Sequence, residues 1–260
     1  MKNYLSLALL LLLVGLSGCV TETSGGAQLE ADPVAALSRR VELARQYIGR
    51  GDWENAKRNL EIAANIDDRN AEVYEAFALV YQSTGENDLA EKNFERALRI
   101  DPKFSRARNN YAAFLFSQGR FEDAKPQFAR VTEDSLYSGR PLAFINLGLS
   151  HLQLGNSAGA EAAFTRALRM DRTNALALLE MGYLKVRSGE LAAAEQYYGV
   201  YKTVVRQQPP RGLILGLEIA RAQGDKDAIS SFELALENLY PDSRDYQRYL
   251  RSRDQRDNLR

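Results

Sequence analysis

A period near 34 residues constrains this chain more than any other feature, because a fixed repeat of that length demands a stack of similar units rather than one closed core. Gly85, Ala90 and Phe94 are spaced five and four apart. The same spacing returns at Gly119, Ala124 and Phe128, at Gly155, Ala160 and Phe164, and at Gly189, Ala194 and Tyr198. Gly51, Ala56 and Leu60 follow it with Leu in the aromatic slot. Units then start at Leu37, Ala71, Ser105, Pro141, Ala175 and Pro209, in steps of 34, 34, 36, 34 and 34 residues. Inside a unit, Tyr74, Phe77, Ala78 and Tyr81, then Leu89, Ala90, Phe94, Ala97 and Leu98, recur at helical spacing. Each unit therefore reads as two helices. Gly85 ends the first, since a positive φ is cheap only for glycine, and Asn87 or Asp88 is placed to cap the second.

One helix pair cannot bury its own apolar faces, so the pairs must stack into a solenoid with a concave and a convex side. The sixth unit departs furthest, with Gly224 one place late. Pro241-Asp242-Ser243 then offers a start for a closing helix carrying Tyr246, Tyr249 and Leu250 among Arg244, Arg248 and Arg251. The tail from Arg244 to Arg260 reads as a solvated cap. Pro126, inside the second helix of the third unit, predicts a kink or a late helix start. Two extra residues in Tyr137-Ser138-Gly139-Arg140-Pro141 lengthen the next turn.

These stations resemble the tetratricopeptide repeat family, and the second unit is the fullest copy, with Tyr74, Phe77, Ala78, Tyr81, Gly85, Ala90, Phe94, Ala97 and Pro102 in place. The resemblance spans about residues 37 to 241. It implies an all-α, right-handed α-solenoid of six helix pairs (37–70, 71–104, 105–140, 141–174, 175–208 and 209–241) with a C-terminal capping helix and polar tail over 242–260. It also implies that the first helix of each pair lines the concave wall. On that wall the resemblance puts Val41, Ile48 and Leu79, then Leu142, Ile145, Leu149 and Leu152, then Leu176, Leu179, Tyr183 and Val186, and finally Leu213 and Leu217. Glu72, Glu75, Gln82, Arg106 and Asn109 make the wall polar in the second and third units. An apolar groove of this kind suits an amphipathic helix or hydrophobic peptide, the alternative being a wall partly covered by its own cap, its tether or a tighter superhelix. Asn110 and Asn146 stand where relatives hold a peptide carboxylate, but the accompanying lysines are missing and no such clamp is expected.

The N-terminus is read separately. Lys2 precedes a run from Leu5 to Leu16 that is too short to span a bilayer and reads as an export signal over residues 1–18. The lone cysteine follows in Leu16-Ser17-Gly18-Cys19, which resembles the bacterial lipobox. That likeness implies diacylglycerol and an N-acyl chain on Cys19. With Val20 rather than Asp next, it implies anchoring at the periplasmic face of the outer membrane. Residues 19–36 form a small, polar tether, whose stretch to Pro33 reaches at most about 50 Å.

Composition narrows the chemistry. Basic and acidic residues are equal at 34 each, so partners are expected to be proteins and not nucleic acid. One Cys and one His allow neither a disulfide framework nor a Cys/His zinc site. His151 occupies a station held by Tyr47 and Tyr81 and reads as a packing residue. Asp67-Asp68 and Glu133-Asp134 fall at helix ends, as solvated turn residues. Neither a catalytic constellation nor a small-molecule site is expected, and no cofactor beyond the acyl chains. Trp53 reads as packed into its helix pair.

Signal, lipidated Cys19, tether and six repeats together resemble the type IV pilus biogenesis lipoproteins of the pilotin kind. The likeness implies a protein that binds secretin subunits of the type IV pilus and promotes their outer-membrane localisation and multimerisation. The alternative of the same build is a lipoprotein scaffold that recruits cell-wall synthesis or hydrolysis enzymes.

Overall fold

The structure, a computed structural model, describes residues 32–257. The expected export signal, Cys19 and most of the expected tether lie outside the described residues. Thirteen helices and no strand occur among the described residues. They pair as α1 (Pro33–Arg50) with α2 (Trp53–Ile66), α3 (Ala71–Thr84) with α4 (Asn87–Ile100), and α5 (Ser105–Ser117) with α6 (Phe121–Glu133). Next come α7 (Arg140–Gln153) with α8 (Ser157–Met170), α9 (Ala175–Arg187) with α10 (Leu191–Val204), and α11 (Pro210–Gln223) with α12 (Lys226–Leu239). A single closing helix, α13 (Arg244–Asp257), ends the array. The six expected pairs and the cap are all present.

One device makes every turn within a pair. Gly51, Gly85, Gly119, Gly155, Gly189 and Gly224 have φ between 69° and 83°, a region strained for any side chain. The next amide then reaches back to a carbonyl of the last helical turn, as Glu86 N–H does to Tyr81 O at 2.8 Å. The late Gly224 works as well as the others. Between pairs a different device recurs. Asp67, Asp101 and Asp171 accept the amide two residues on through Oδ1, at 2.8, 2.9 and 3.1 Å, so these acids are turn formers.

Local departures from the expected pattern have local causes. The first helix begins at Pro33, four residues before Leu37, because Asp32 accepts the Val34 amide at 3.0 Å and Pro33 needs no partner for its nitrogen at the first helical position. Neither Asn87 nor Asp88 caps α4. Glu86 takes the cap position without a side-chain bond, and both residues fall inside the first turn. Pro126 does not delay α6, which starts at Phe121 and carries the proline in its interior. The long turn before α7 is tied down: Asp134 accepts Ser105 Oγ at 2.5 Å and the Leu136 amide at 3.0 Å, and Arg140 Nε donates to Thr132 O at 2.7 Å.

The core runs along the stack in five buried clusters. Leu60, Phe94, Phe128 and Phe164 fill the same station in successive second helices and are essentially inaccessible, each contributing about 1.5–3 kcal/mol. Phe164 meets the eighth place of its own first helix. That place is Ala44, Ala78 and Ala112 in the first three pairs and Gly148, Gly182 and Gly216 in the last three. A Cβ on Gly148 would stand 2.6 Å from the Phe164 ring, so only glycine admits this approach.

Candidate partner-binding surface

Successive first helices touch one another: α1 meets α3, α3 meets α5, α5 meets α7, α9 meets α11, and α11 meets α13. That contact decides which of the expected wall residues face solvent. The fifth place of every pair is wedged into it. Val41, Glu75, Asn109, Ile145, Leu179 and Leu213 are all buried. The second place stands clear, and Leu142 and Leu176 are 51% and 37% exposed. The ninth and twelfth places lie between these extremes, so Ile48, Leu79, Leu149, Leu152, Tyr183 and Val186 are half-buried.

The expected apolar wall is therefore corrected in depth and in extent. Val41, Ile145 and Leu179 belong to the core. Leu213 and Leu217 do too, because Tyr246 and Tyr249 of α13 cover them. What stays accessible is a ladder on α7 and α9, made by Leu142, Leu149, Leu152, Leu176, Tyr183 and Val186.

Beyond the ladder, α9, α11 and α13 enclose a cleft of about 580 Å³ whose lining is charged. Arg211 pairs with the buried Glu180 at 2.8 Å, and Arg221 with Glu233 at 2.6 Å. Tyr183 closes one wall. Its hydroxyl donates to Arg211 O at 2.6 Å, the Arg211 guanidinium lies 5.3 Å from its ring centre, and burial pushes its pKa above the usual phenol range. The repeat pattern does not point to Glu180, Arg211, Glu218 and Asp245 as lining groups. Their signal is present in the spacing of α9 and α11, but the lone α13 that completes the cleft has no repeat station to mark it.

The N-terminal half of the same face is closed by ions. Arg45 Nη2 donates to Glu75 Oε2 at 2.6 Å, Asn110 Nδ2 to Glu75 Oε1 at 2.6 Å, and Arg106 Nη2 to Glu72 Oε2 at 3.1 Å. Asn110 thus serves an internal carboxylate. Trp53 packs against the first cluster, and His151 packs over Gly159, whose ideal Cβ would lie 2.6 Å from the imidazole Nδ1.

Known proteins share this architecture. The tetratricopeptide repeat pattern matches residues 81–135 and 145–210. The type IV pilus assembly protein PilF of Pseudomonas aeruginosa is 35% identical over 240 residues, which cover 92% of this chain and 95% of that protein. A solved structure of Pseudomonas aeruginosa PilF superposes with a TM-score of 0.77 at 34% identity, covering 85% of this chain and 99% of that one. PilW, described as a widely conserved type IV pilus biogenesis factor, gives 0.71 at 28% identity, over 82% and 98%. YrrB, a repeat protein with a peptide-binding site, gives 0.61 at 15% identity and shares the fold. Full-length kinship of this kind, carried by a solenoid with the same number of helix pairs as its sequence repeats, makes the chain a member of the PilF family of tetratricopeptide-repeat proteins.

Proposed function

We propose that this protein is an outer-membrane lipoprotein pilotin of the type IV pilus system, which holds secretin subunits on its concave face and promotes their localisation and multimerisation. The observation that carries the reading is the leucine ladder on α7 and α9. Leu142 and Leu176 are open, while Leu149 and Leu152 are half-covered, on the side where repeat solenoids take extended or helical partners. Kinship with a pilus assembly protein supplies the system. Lipid on Cys19 would supply the address, since two or three acyl chains hold far more firmly than one. The tether would let the ladder sample the space below the membrane.

The test separates grip from address. Leu149→Glu with Leu176→Glu is expected to abolish in-cell cross-linking to the secretin and the heat-resistant secretin multimers seen in unboiled extracts, with the lipoprotein still in the outer membrane. Cys19→Ser is expected to misplace lipoprotein and secretin together. Intact multimers in the leucine variant, with altered cell length instead, would replace the pilotin by a cell-wall scaffold.

A further inference from the structure

The two long edges of the solenoid differ in what they leave exposed. Helix pairs run antiparallel, so one edge gathers the turns within pairs. The other gathers the turns between pairs, together with the start of α1. Arg96 of the second pair donates to Asp68 O of the preceding turn, and Ser105 to Asp134 of the following one, so these turns lie side by side. Among the described residues eleven large apolar side chains are exposed. Six stand on the between-pair edge, Val34 at 73%, Ile66 at 38%, Leu136 at 94%, Met170 at 41%, Val204 at 37% and Leu239 at 62%, and Leu142 and Leu176 stand beside it in the first turns of α7 and α9. Leu89 alone stands near the opposite edge.

Charge divides the same way at the turns that follow the fourth and fifth pairs, though not at the turn before α13, where Glu237, Asp242 and Asp245 outnumber Arg244. Residues 165–174 and 200–209 hold Arg166, Arg169, Arg172, Lys202 and Arg206, all exposed, against one acid, Asp171. The Asp171 carboxylate is already occupied by the Thr173 amide and hydroxyl and by Asn174. Across the molecule, Glu161 and Glu190 on the within-pair edge neutralise Lys185.

We propose that the between-pair edge is a membrane-facing surface, which lies on an anionic phospholipid bilayer through these cations and lets the scattered apolar side chains enter the headgroup layer. Isolated apolar groups spaced among cations fit a flat, fluid, negatively charged surface better than a protein partner, which would need a contiguous patch. The chain itself points the same way, because it enters the fold at Asp32, on this edge, next to exposed Val34. A tether leading to the membrane pulls this edge toward it. Leu149, Leu152, Tyr183 and Val186 of the ladder lie further along α7 and α9, away from this edge, so docking holds whether or not their partner is a secretin.

The experiment uses the full chain, isolated from membranes and returned to vesicles of phosphatidylcholine with or without phosphatidylglycerol, and reads backbone hydrogen exchange. Exchange over 166–174 and 200–209 is expected to slow roughly fivefold or more in the anionic vesicles, and to recover in high salt. The within-pair turns at 118–121 and 188–191 are expected to stay unchanged. Arg169→Glu, Arg172→Glu and Arg206→Glu together should erase the slowing, and the three Arg→Gln changes should reduce it while helix content is retained. Equal exchange in both vesicles overturns the proposal. So does equal slowing on both edges, or slowing that appears only when a secretin is added.

Discussion

At the fifth place of its repeat the second helix pair carries Glu75 and the fourth carries Ile145, and the two are equally hidden, at 0% and 2% exposure. Around Glu75, Arg45, Arg106 and Asn110 converge, and the concave face over α1, α3 and α5 is closed with charge. Around Ile145 no charge is needed, and the neighbouring second, ninth and twelfth places present leucine. The eighth place changes at the same boundary, from Ala44, Ala78 and Ala112 to Gly148, Gly182 and Gly216. In the fourth and fifth pairs, where a Cβ at this place would strike Phe164 or Leu215, the face is apolar and open, while in the sixth α13 covers it and in the first three it is ionic. One repeat architecture thus carries two surfaces, one that holds itself together and one that is available.

The largest effect is expected where that closure is cut. Glu75→Ala removes the buried carboxylate that Arg45 and Asn110 grip, but Glu72 still reaches Arg45 and Arg106 and both arginines touch solvent, so the loss is expected at about 3 kcal/mol, the low end for a broken buried pair. Urea unfolding followed by circular dichroism should show a loss of that size. A loss below about 1 kcal/mol would make the network surface decoration and break the contrast between the halves.

The eighth place sharpens it. Gly148→Ala drives a methyl into the fully buried Phe164 ring, an overpacking that costs about 1–3 kcal/mol. Gly182→Ala meets only the end of Leu215, which can rotate, and should cost less. Ala78→Gly, the reverse change in the N-terminal half, should cost about 1–2 kcal/mol, through backbone entropy and the buried methyl it removes. Thermal melts of the three variants order them. If Gly148→Ala proves harmless, the closer approach is not real.

Much of this architecture is legible in the residues alone, and what is not has a common physical cause. The period locates every glycine turn, including the displaced Gly224, because a positive φ leaves a chemical signature in the residue itself. It locates Phe94, Phe128 and Phe164 as core because a large aromatic side chain recurring at one helical station must be buried by the neighbouring helix. It misjudges depth on the concave side. Val41, Ile145 and Leu179 look like Leu142 and Leu176 in sequence, and only the contact between successive first helices tells them apart. Leu213 and Leu217 are hidden by α13, which stands outside the period. The charged cleft and the basic edge escape the sequence pattern because each is assembled from three or more helices, and a balanced total charge conceals a local excess.

The smallest expected effect isolates the C-terminal half by pH. The chain has one histidine, and His151 is held below its ordinary pKa of 6.5 by burial first and by the charge of Lys125 second. As pH falls through 6.5 the unfolded chain takes up a proton that the folded chain refuses until lower pH, so stability declines across that interval and then levels off. Asp52, Asp134 and Asp171 are held below 3.8 and Glu190 below 4.5 by hydrogen bonds, so their contributions persist through the interval and fade only in stronger acid. The decline near neutrality therefore belongs to His151, and hydrogen exchange should report it in α7 and α8 rather than in α1 to α4. His151→Phe should flatten the stability profile between pH 7.5 and 5.5. A profile that still slopes in that variant, or exchange that rises equally in both halves, would show that the halves are coupled too tightly for one buried imidazole to act on its own side.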